Sequence, residues 1–164
     1  MLVVDGHFVL IRRSYSMPTH KGQIGFIGGH RQADELNPYD TAKREFFEES
    51  GFNRDKLSFL GLVEPVYTVR MKLIIPVVAE FNGTIKEFIK NIESNGEWEN
   101  LVLVPIEHLE NSKMWTKGMS RDRHAAVFFH PLLTSICTYY RKPKKVAYVL
   151  WGASAKMIVN FFKN

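Results

Sequence analysis

The stretch Asn37-Pro38-Tyr39-Asp40-Thr41-Ala42-Lys43-Arg44-Glu45-Phe46-Phe47-Glu48-Glu49-Ser50-Gly51 carries the clearest local signals in the chain. Asn37 suits the N-cap of a helix, and Pro38 occupies the first helical position, where its missing N–H costs nothing. Asp40, at the third helical position, can return a hydrogen bond to the cap backbone and complements the helix dipole. The helix is predicted to end near Ser50, with Gly51 as its left-handed terminator. Within it Glu45, Glu48 and Glu49 stand at i, i+3 and i+4, so their carboxylates share one face. Like charges at that spacing repel, and a divalent cation between them reverses the sign of the interaction. Carboxylate oxygens are hard donors, suited to Mg²⁺ or Mn²⁺ rather than to zinc or copper. Taken alone, the three glutamates also fit a solvated acidic face partnered by Lys43 and Arg44.

Outward from the helix, strands and helices mix without a regular βαβ rhythm, which argues for α+β. Leu2–Val4 and His7–Arg12 read as a hairpin about Asp5-Gly6, and Gln23–Ile27 as a short strand before Gly28-Gly29. Leu57–Val63, Leu73–Phe81, Leu101–Val104, Ala125–Phe129 and Val146–Leu150 are predicted strands. Ile85, Phe88, Ile89 and Ile92 have helical spacing. A helical turn is expected over Ile106–Glu110, and a last helix from Gly152 carries Ala155, Ile158, Val159 and Phe162.

The 164 residues, 45% hydrophobic and 13% aromatic, are enough for one folded domain spanning 1–164. No apolar run approaches the roughly 20 residues that cross a bilayer, and Met1 to Arg13 lacks the pattern of a secretory signal. Cys137 is the single cysteine, so no internal disulfide can form and a cytoplasmic setting is expected. The net charge of +5 suits an anionic substrate. The run Arg141-Lys142-Pro143-Lys144-Lys145 reads as a solvated loop, since no aromatic stacking platform accompanies it.

The acidic helix has company in the sequence. Gly29 precedes Glu35 by six residues, and Arg44-Glu45-Phe46-Phe47-Glu48-Glu49-Ser50-Gly51-Phe52 follows. Together these resemble the Nudix box, a magnesium-dependent signature, here with one extra residue in the interval Leu36 to Lys43. The same lengthening is familiar from the coenzyme A pyrophosphatase branch of the family. The resemblance implies an α/β/α sandwich with a mixed central sheet. It implies Glu45, Glu48, Glu49 and the Gly29 carbonyl as ligands to Mg²⁺ or Mn²⁺, with Arg44 orienting the glutamates. The ions of such a site neutralise phosphate charge and lower the pKa of an attacking water.

The branch resemblance covers most of the chain. Val9-Leu10-Ile11-Arg12-Arg13-Ser14, Gly22 and Phe26-Ile27-Gly28-Gly29 keep the register of its upstream signature. Pro76-Val77-Val78-Ala79, Val104-Pro105-Ile106 and Trp151-Gly152-Ala153-Ser154-Ala155 resemble later motifs. The chain departs at Ile11 for threonine, at Pro18 for an arginine that could grip a phosphate, and at Ile27 for proline.

Arg12, Arg13, Lys21 and His30 are the candidate substrate contacts, set against ordinary surface charge; alternation along a strand sends Arg12 and Arg13 to opposite faces. Glu97, with Glu99 as fallback, is the candidate general base, because relatives place an acidic residue in this loop. His20, His108, His124 and His130 are given no role, and Trp98, Tyr67 and Phe81 are read as packing residues.

The expected activity is hydrolysis of a diphosphate linkage in coenzyme A or a similar nucleoside diphosphate derivative. A nucleoside-diphosphate-sugar or nucleoside-triphosphate pyrophosphohydrolase is the alternative enzyme, and a non-catalytic nucleotide sensor is the rival from another class. The expected partner is a small-molecule nucleotide diphosphate, with neither nucleic acid nor membrane, and a homodimer is left open.

Overall fold

The computed structural model describes residues 1–68, 70–110, 116–119, 126–132, 138–140 and 148–163, and between 116 and 149 it describes the strands by their pairing alone. The elements in chain order are β1 (Leu2–Val4), β2 (His7–Arg13), β3 (Ile24–Gly25), α1 (Pro38–Ser50), a 3₁₀ turn (Arg54–Lys56), β4 (Leu57–Leu62), β5 (Val66–Tyr67), β6 (Leu73–Ile74) and β7 (Val77–Phe81). They continue with α2 (Ile85–Asn91), β8 (Trp98–Pro105), α3 (Ile106–Glu110), β9 (Thr116–Met119), β10 (Ala126–Leu132), β11 (Thr138–Tyr140), β12 (Tyr148–Trp151) and α4 (Gly152–Phe161).

The main sheet runs β11-β8-β2-β1-β7-β4, with β3 paired to β2. It is mixed, because β1 lies parallel to β7 while its other neighbour β2 is antiparallel. The Asp5-Gly6 hairpin forms, with φ of 44° and 70° at the two turn residues and Val4 opposite His7. A three-stranded sheet β12-β10-β9 and a ribbon β5-β6 complete the strands described.

Alternation along the central strands divides the core in two. Val3, Phe8, Leu10, Val102 and Val104 pack on one face with Ala155, Met157 and Ile158 of α4. Leu2, Val4, Val9, Ile11, Leu101 and Leu103 pack on the other with Phe46 of α1 and Phe88 of α2. Strands buried on both faces read as continuous apolar runs, which is the pattern of Leu101–Val104. The result is the expected α/β/α sandwich. Phe46 is the main apolar anchor of α1, against Phe52 and Phe81 with ring centroids 6.0 and 6.4 Å away.

Several boundaries differ from the sequence reading. The Gln23–Ile27 strand shrinks to Ile24–Gly25, and β8 starts at Trp98 rather than Leu101. The predicted strand Leu73–Phe81 is two strands, because Pro76 has no N–H for a ladder; its carbonyl accepts from Val63 N–H instead at 3.0 Å. The first piece pairs with β5, which the sequence reading did not include. Strands β9 and β11 were likewise not expected. Ala125, Val146, Cys137, His124 and the basic run 141–145 lie outside the described residues. Among the described residues, no helix is long and apolar enough to cross a membrane.

The cap of α1 forms in full. Asn37 Oδ1 accepts from Tyr39 N–H at 2.9 Å and Asp40 N–H at 3.1 Å, and Asp40 Oδ2 accepts from Asn37 N–H at 3.2 Å. Asn37→Ala is expected to cost about 1 kcal/mol. Thermal unfolding should show it as a midpoint lower by about 2–4 °C, the shift usual for a chain of this size.

Candidate active site

Four acceptors surround the guanidinium of Arg44. Its Nε donates to Glu35 Oε1 at 2.7 Å, and its Nη1 donates to Glu45 Oε1 at 2.7 Å and Glu48 Oε2 at 2.8 Å. Its Nη2 donates to the His30 carbonyl at 2.9 Å. The planar fork of arginine suits such divergent acceptors, and lysine offers no equivalent. Arg44 thus ties two carboxylates of the acidic helix face to the loop that follows Gly28-Gly29.

Glu35 is the far anchor of this brace. It is buried, accepts from Thr41 Oγ1 at 2.6 Å and from Gln32 N–H at 2.8 Å, and holds Arg44. The Thr41 hydroxyl, then the Gln32 amide and Arg44, pull its pKa from 4.5 to about 2, against the effect of burial. The loop is further closed by Arg31, which donates twice to the Glu35 carbonyl, at 2.9 and 2.6 Å. The sequence reading placed Glu35 in the box without a role. The signal that could have found it is Thr41 in the first turns of the helix, a hydroxyl donor with no apolar function.

Glu49 behaves differently from its two neighbours. Only 3% of it is exposed, its Oε1 accepts from Gly28 N–H at 3.3 Å, and its Oε2 is buried with no hydrogen-bond partner. Burial pushes its pKa up to about 8; the Gly28 amide opposes this, and the charges of Glu45 and Glu97 add to it. Gly28 has φ 149°, open to glycine and strained for other residues. At Gly29 a Cβ would meet the Glu45 carboxylate, which would have to move from its place beside Arg44 to admit it.

These observations bear on the expected metal. An orphaned carboxylate oxygen, a glycine where a Cβ would take the place of a second carboxylate, and an all-oxygen donor set fit a hard divalent cation. Among the described residues, no three acidic, His or Cys side chains already stand in ligating geometry. Arg44 holds Glu45 and Glu48, while Glu49 turns to Gly28.

The opposite wall comes from β2 and β8. Arg13 stands opposite Trp98 and Arg12 opposite Asn100, so Glu99 is the extra residue of a β-bulge. The bulge sorts the charges. Glu99 accepts from Arg12 Nη2, Ser14 Oγ and Tyr15 N–H, each at 2.9 Å. The Tyr15 amide, Ser14 and Arg12 keep its carboxyl below the usual range. Arg13 instead lies 3.9 Å from Glu97, its Nε buried without a hydrogen bond, and both residues act electrostatically on Glu49.

The candidates therefore fall into two groups. Gly29, Arg44, Glu45, Glu48, Glu49, Arg13 and Glu97 share one region, to which His30 contributes its carbonyl while its side chain is exposed. Arg12 is turned to Glu99 and to the ring of Tyr15. Lys21 is exposed in the loop joining β2 to β3, without an ion pair among the described residues. Trp98 is buried in the core and donates its indole N–H to the Glu49 carbonyl at 2.7 Å, a contact the sequence reading did not include. Phe81 is a core residue as expected, while Tyr67 is 56% exposed.

Comparison with known proteins identifies the family. The NUDIX domain matches residues 1–123. The chain is 25% identical over 158 residues to a mitochondrial Nudix hydrolase of Arabidopsis thaliana, covering 94% of this chain and 51% of that protein. It is 36% identical over 102 residues to a mitochondrial coenzyme A diphosphatase of Mus musculus, covering 62% of this chain and 49% of that protein. It thus spans about half the length of these relatives. The MutT protein of Methanosarcina mazei shares its fold, with a TM-score of 0.51 and 22% identity over 66% of this chain and 75% of that one. The domain match takes in β1 to β8, the Gly28-Gly29 bend and the whole of the braced acidic helix, and on that ground the chain belongs to the Nudix family.

Proposed function

We propose that the chain hydrolyses a diphosphate linkage in coenzyme A or a closely similar nucleoside diphosphate derivative. The observation that carries this reading is the unpartnered, buried Oε2 of Glu49 beside the Arg44-held carboxylates. Burying a carboxylate without a partner is costly. A site that only packed α1 against the sheet would carry an apolar residue there. The Gly29 carbonyl, Glu45, Glu48 and Glu49 are the groups to hold Mg²⁺ or Mn²⁺. Such an ion supplies charge neutralisation at the phosphate oxygens and acidifies water.

The chain's own residues do the rest. Arg44 keeps Glu45 and Glu48 on one side despite their mutual repulsion. In this reading Arg13 meets a phosphate oxygen, and Glu97 takes a proton from water as its oxygen bonds to phosphorus. The bridging P–O bond breaks, and the second phosphate leaves with its oxygen. For coenzyme A the products are phosphopantetheine and adenosine 3′,5′-bisphosphate. Coenzyme A is favoured by the upstream stretch from Val9 to Gly29 and by the similarity to the mouse coenzyme A diphosphatase. The departures at Ile11, Pro18 and Ile27 leave nucleotide sugars and nucleoside triphosphates as the alternatives to be assayed.

Incubation with Mg²⁺ and coenzyme A, ADP-ribose, nucleotide sugars or nucleoside triphosphates should give diphosphate cleavage, fastest with coenzyme A. Tight binding without turnover of any of them would instead identify a sensor. Glu49→Gln is expected to lower turnover by orders of magnitude, with the thermal midpoint of the metal-free protein no lower than before. With its pKa raised to about 8, Glu49 is already largely neutral near pH 7 in the absence of metal, and the amide keeps its shape; near-normal activity would remove Glu49 from the ligand set.

Glu97→Gln should lower kcat roughly 10²–10⁴-fold at saturating metal. If only the metal requirement changes, Glu97 is a ligand and not the base.

The Glu35 anchor predicts an acid limit. Its folded pKa lies below the ordinary 4.5, so its contribution is complete above pH 4.5 and is lost as pH falls toward about 2. Denaturant titrations across that window should show a flatter pH dependence in Glu35→Gln than in the wild type. Identical curves would show that the anchor adds nothing to stability.

A further inference from the structure

Trp98 is linked to three of the site's charged residues through its backbone and its indole. Glu97 precedes it in the chain, Arg13 faces it across the β2–β8 pairing, and its indole N–H reaches the Glu49 carbonyl at 2.7 Å. The last carbonyls of any helix lack intrahelical partners. In α1 those of Phe47 and Ser50 are met by backbone, from Gly51 N–H and Glu93 N–H, both at 3.0 Å. The Glu49 carbonyl is met by a side chain from another element. On its other side Trp98 closes the turn that carries Glu97. Its carbonyl accepts from Ser94 Oγ at 2.6 Å, and Ser94 Oγ in turn accepts from Gly96 N–H at 3.2 Å. Packing alone does not need the indole hydrogen bond, since a phenylalanine would fill much of the same apolar space.

We propose that Trp98 is a positioning residue: its indole hydrogen bond locks the last turn of α1 to the start of β8 and so sets the gap between the Glu49 and Glu97 carboxylates. This rests on the reading that both carboxylates serve one diphosphate-cleaving site. Neither carboxylate is held tightly by its own contacts. Glu49 has one amide at 3.3 Å, and Glu97 has Arg13 at 3.9 Å and Asn95 Nδ2 at 3.5 Å. Their separation is therefore set mainly through the backbone, and two bonds join the two backbones: the Glu93 N–H to the Ser50 carbonyl, before the turn, and the Trp98 indole to the Glu49 carbonyl, next to Glu97 itself. A misplacement of about 1 Å is enough to cost roughly 10²-fold in rate.

The test measures Mn²⁺ binding directly, by electron paramagnetic resonance of the free ion, beside hydrolysis of coenzyme A. Trp98→Phe is expected to weaken Mn²⁺ binding roughly tenfold, as loss of a group supporting a ligand does. It should also lower kcat with KM unchanged. Ser94→Ala, which releases the loop side of the same clamp, should lower kcat in the same way. In a Glu97→Gln background the kcat effect of Trp98→Phe should largely vanish, because the gap it sets no longer holds a working carboxylate. Ile158→Val, in the core on the other face of the sheet, should lower the thermal midpoint and leave Mn²⁺ binding unchanged. Wild-type Mn²⁺ affinity in Trp98→Phe, or an equal loss in Ile158→Val, overturns the assignment of Trp98 while the proposed activity stands. Absence of Mn²⁺ binding by the wild type defeats both.

Discussion

The arrangement depends on the guanidinium of Arg44. Three carboxylates within two turns of α1 repel one another, and an unbraced helix would spread them apart or protonate them. Arg44 accepts two of these charges, adds Glu35 from the preceding loop, and fixes the loop backbone through the His30 carbonyl. The brace converts a local destabilisation of the helix into a link between helix and loop. It also leaves Glu49 outside its reach, so that one carboxylate stays buried and incompletely satisfied. Gly29 lies beside Glu45 for the same reason: a side chain there would have to displace the carboxylate that Arg44 holds.

The second wall depends on a single extra residue. Regular alternation along β8 would place Glu99 on the same face as Leu101, which packs toward α1. The bulge opposite Arg12 and Arg13 changes that. It directs Glu99 to Arg12, Ser14 and Tyr15, while Trp98 keeps its indole in the α1-side core. Two adjacent arginines and two nearly adjacent glutamates are thereby separated into a satisfied pair and a looser pair. The looser pair, Arg13 and Glu97, is the one that acts on Glu49. Bulges that re-aim side chains beside functional sites are a recurrent device of β-structure.

What could be read without the fold was what local rules govern. Asn37, Pro38, Asp40 and Gly51 act within a few residues of themselves, so α1 has the expected limits and cap. The i, i+3, i+4 spacing of Glu45, Glu48 and Glu49, and the opposite facing of Arg12 and Arg13, follow from helix and strand periodicity alone. Boundaries that depend on a neighbour were missed. The ribbon β5-β6 exists because each strand supplies the other's partners, and β8 extends back to Trp98 because Arg13 is there to pair with it.

The sequence by itself therefore determined the acidic helix, the glycine bend before it and the apolar strands of a two-faced sheet, because capping residues, glycines and apolar patterning show each within a few residues. Only the tertiary structure decided which carboxylate is braced, which is buried and which is consumed by an arginine. Glu35 meets Arg44 across 9 residues, Glu49 meets Trp98 across 49, and Glu99 meets Arg12 across 87. Charge state and hydrogen-bond satisfaction are properties of what surrounds a group in space, and no spacing along the chain encodes that surrounding.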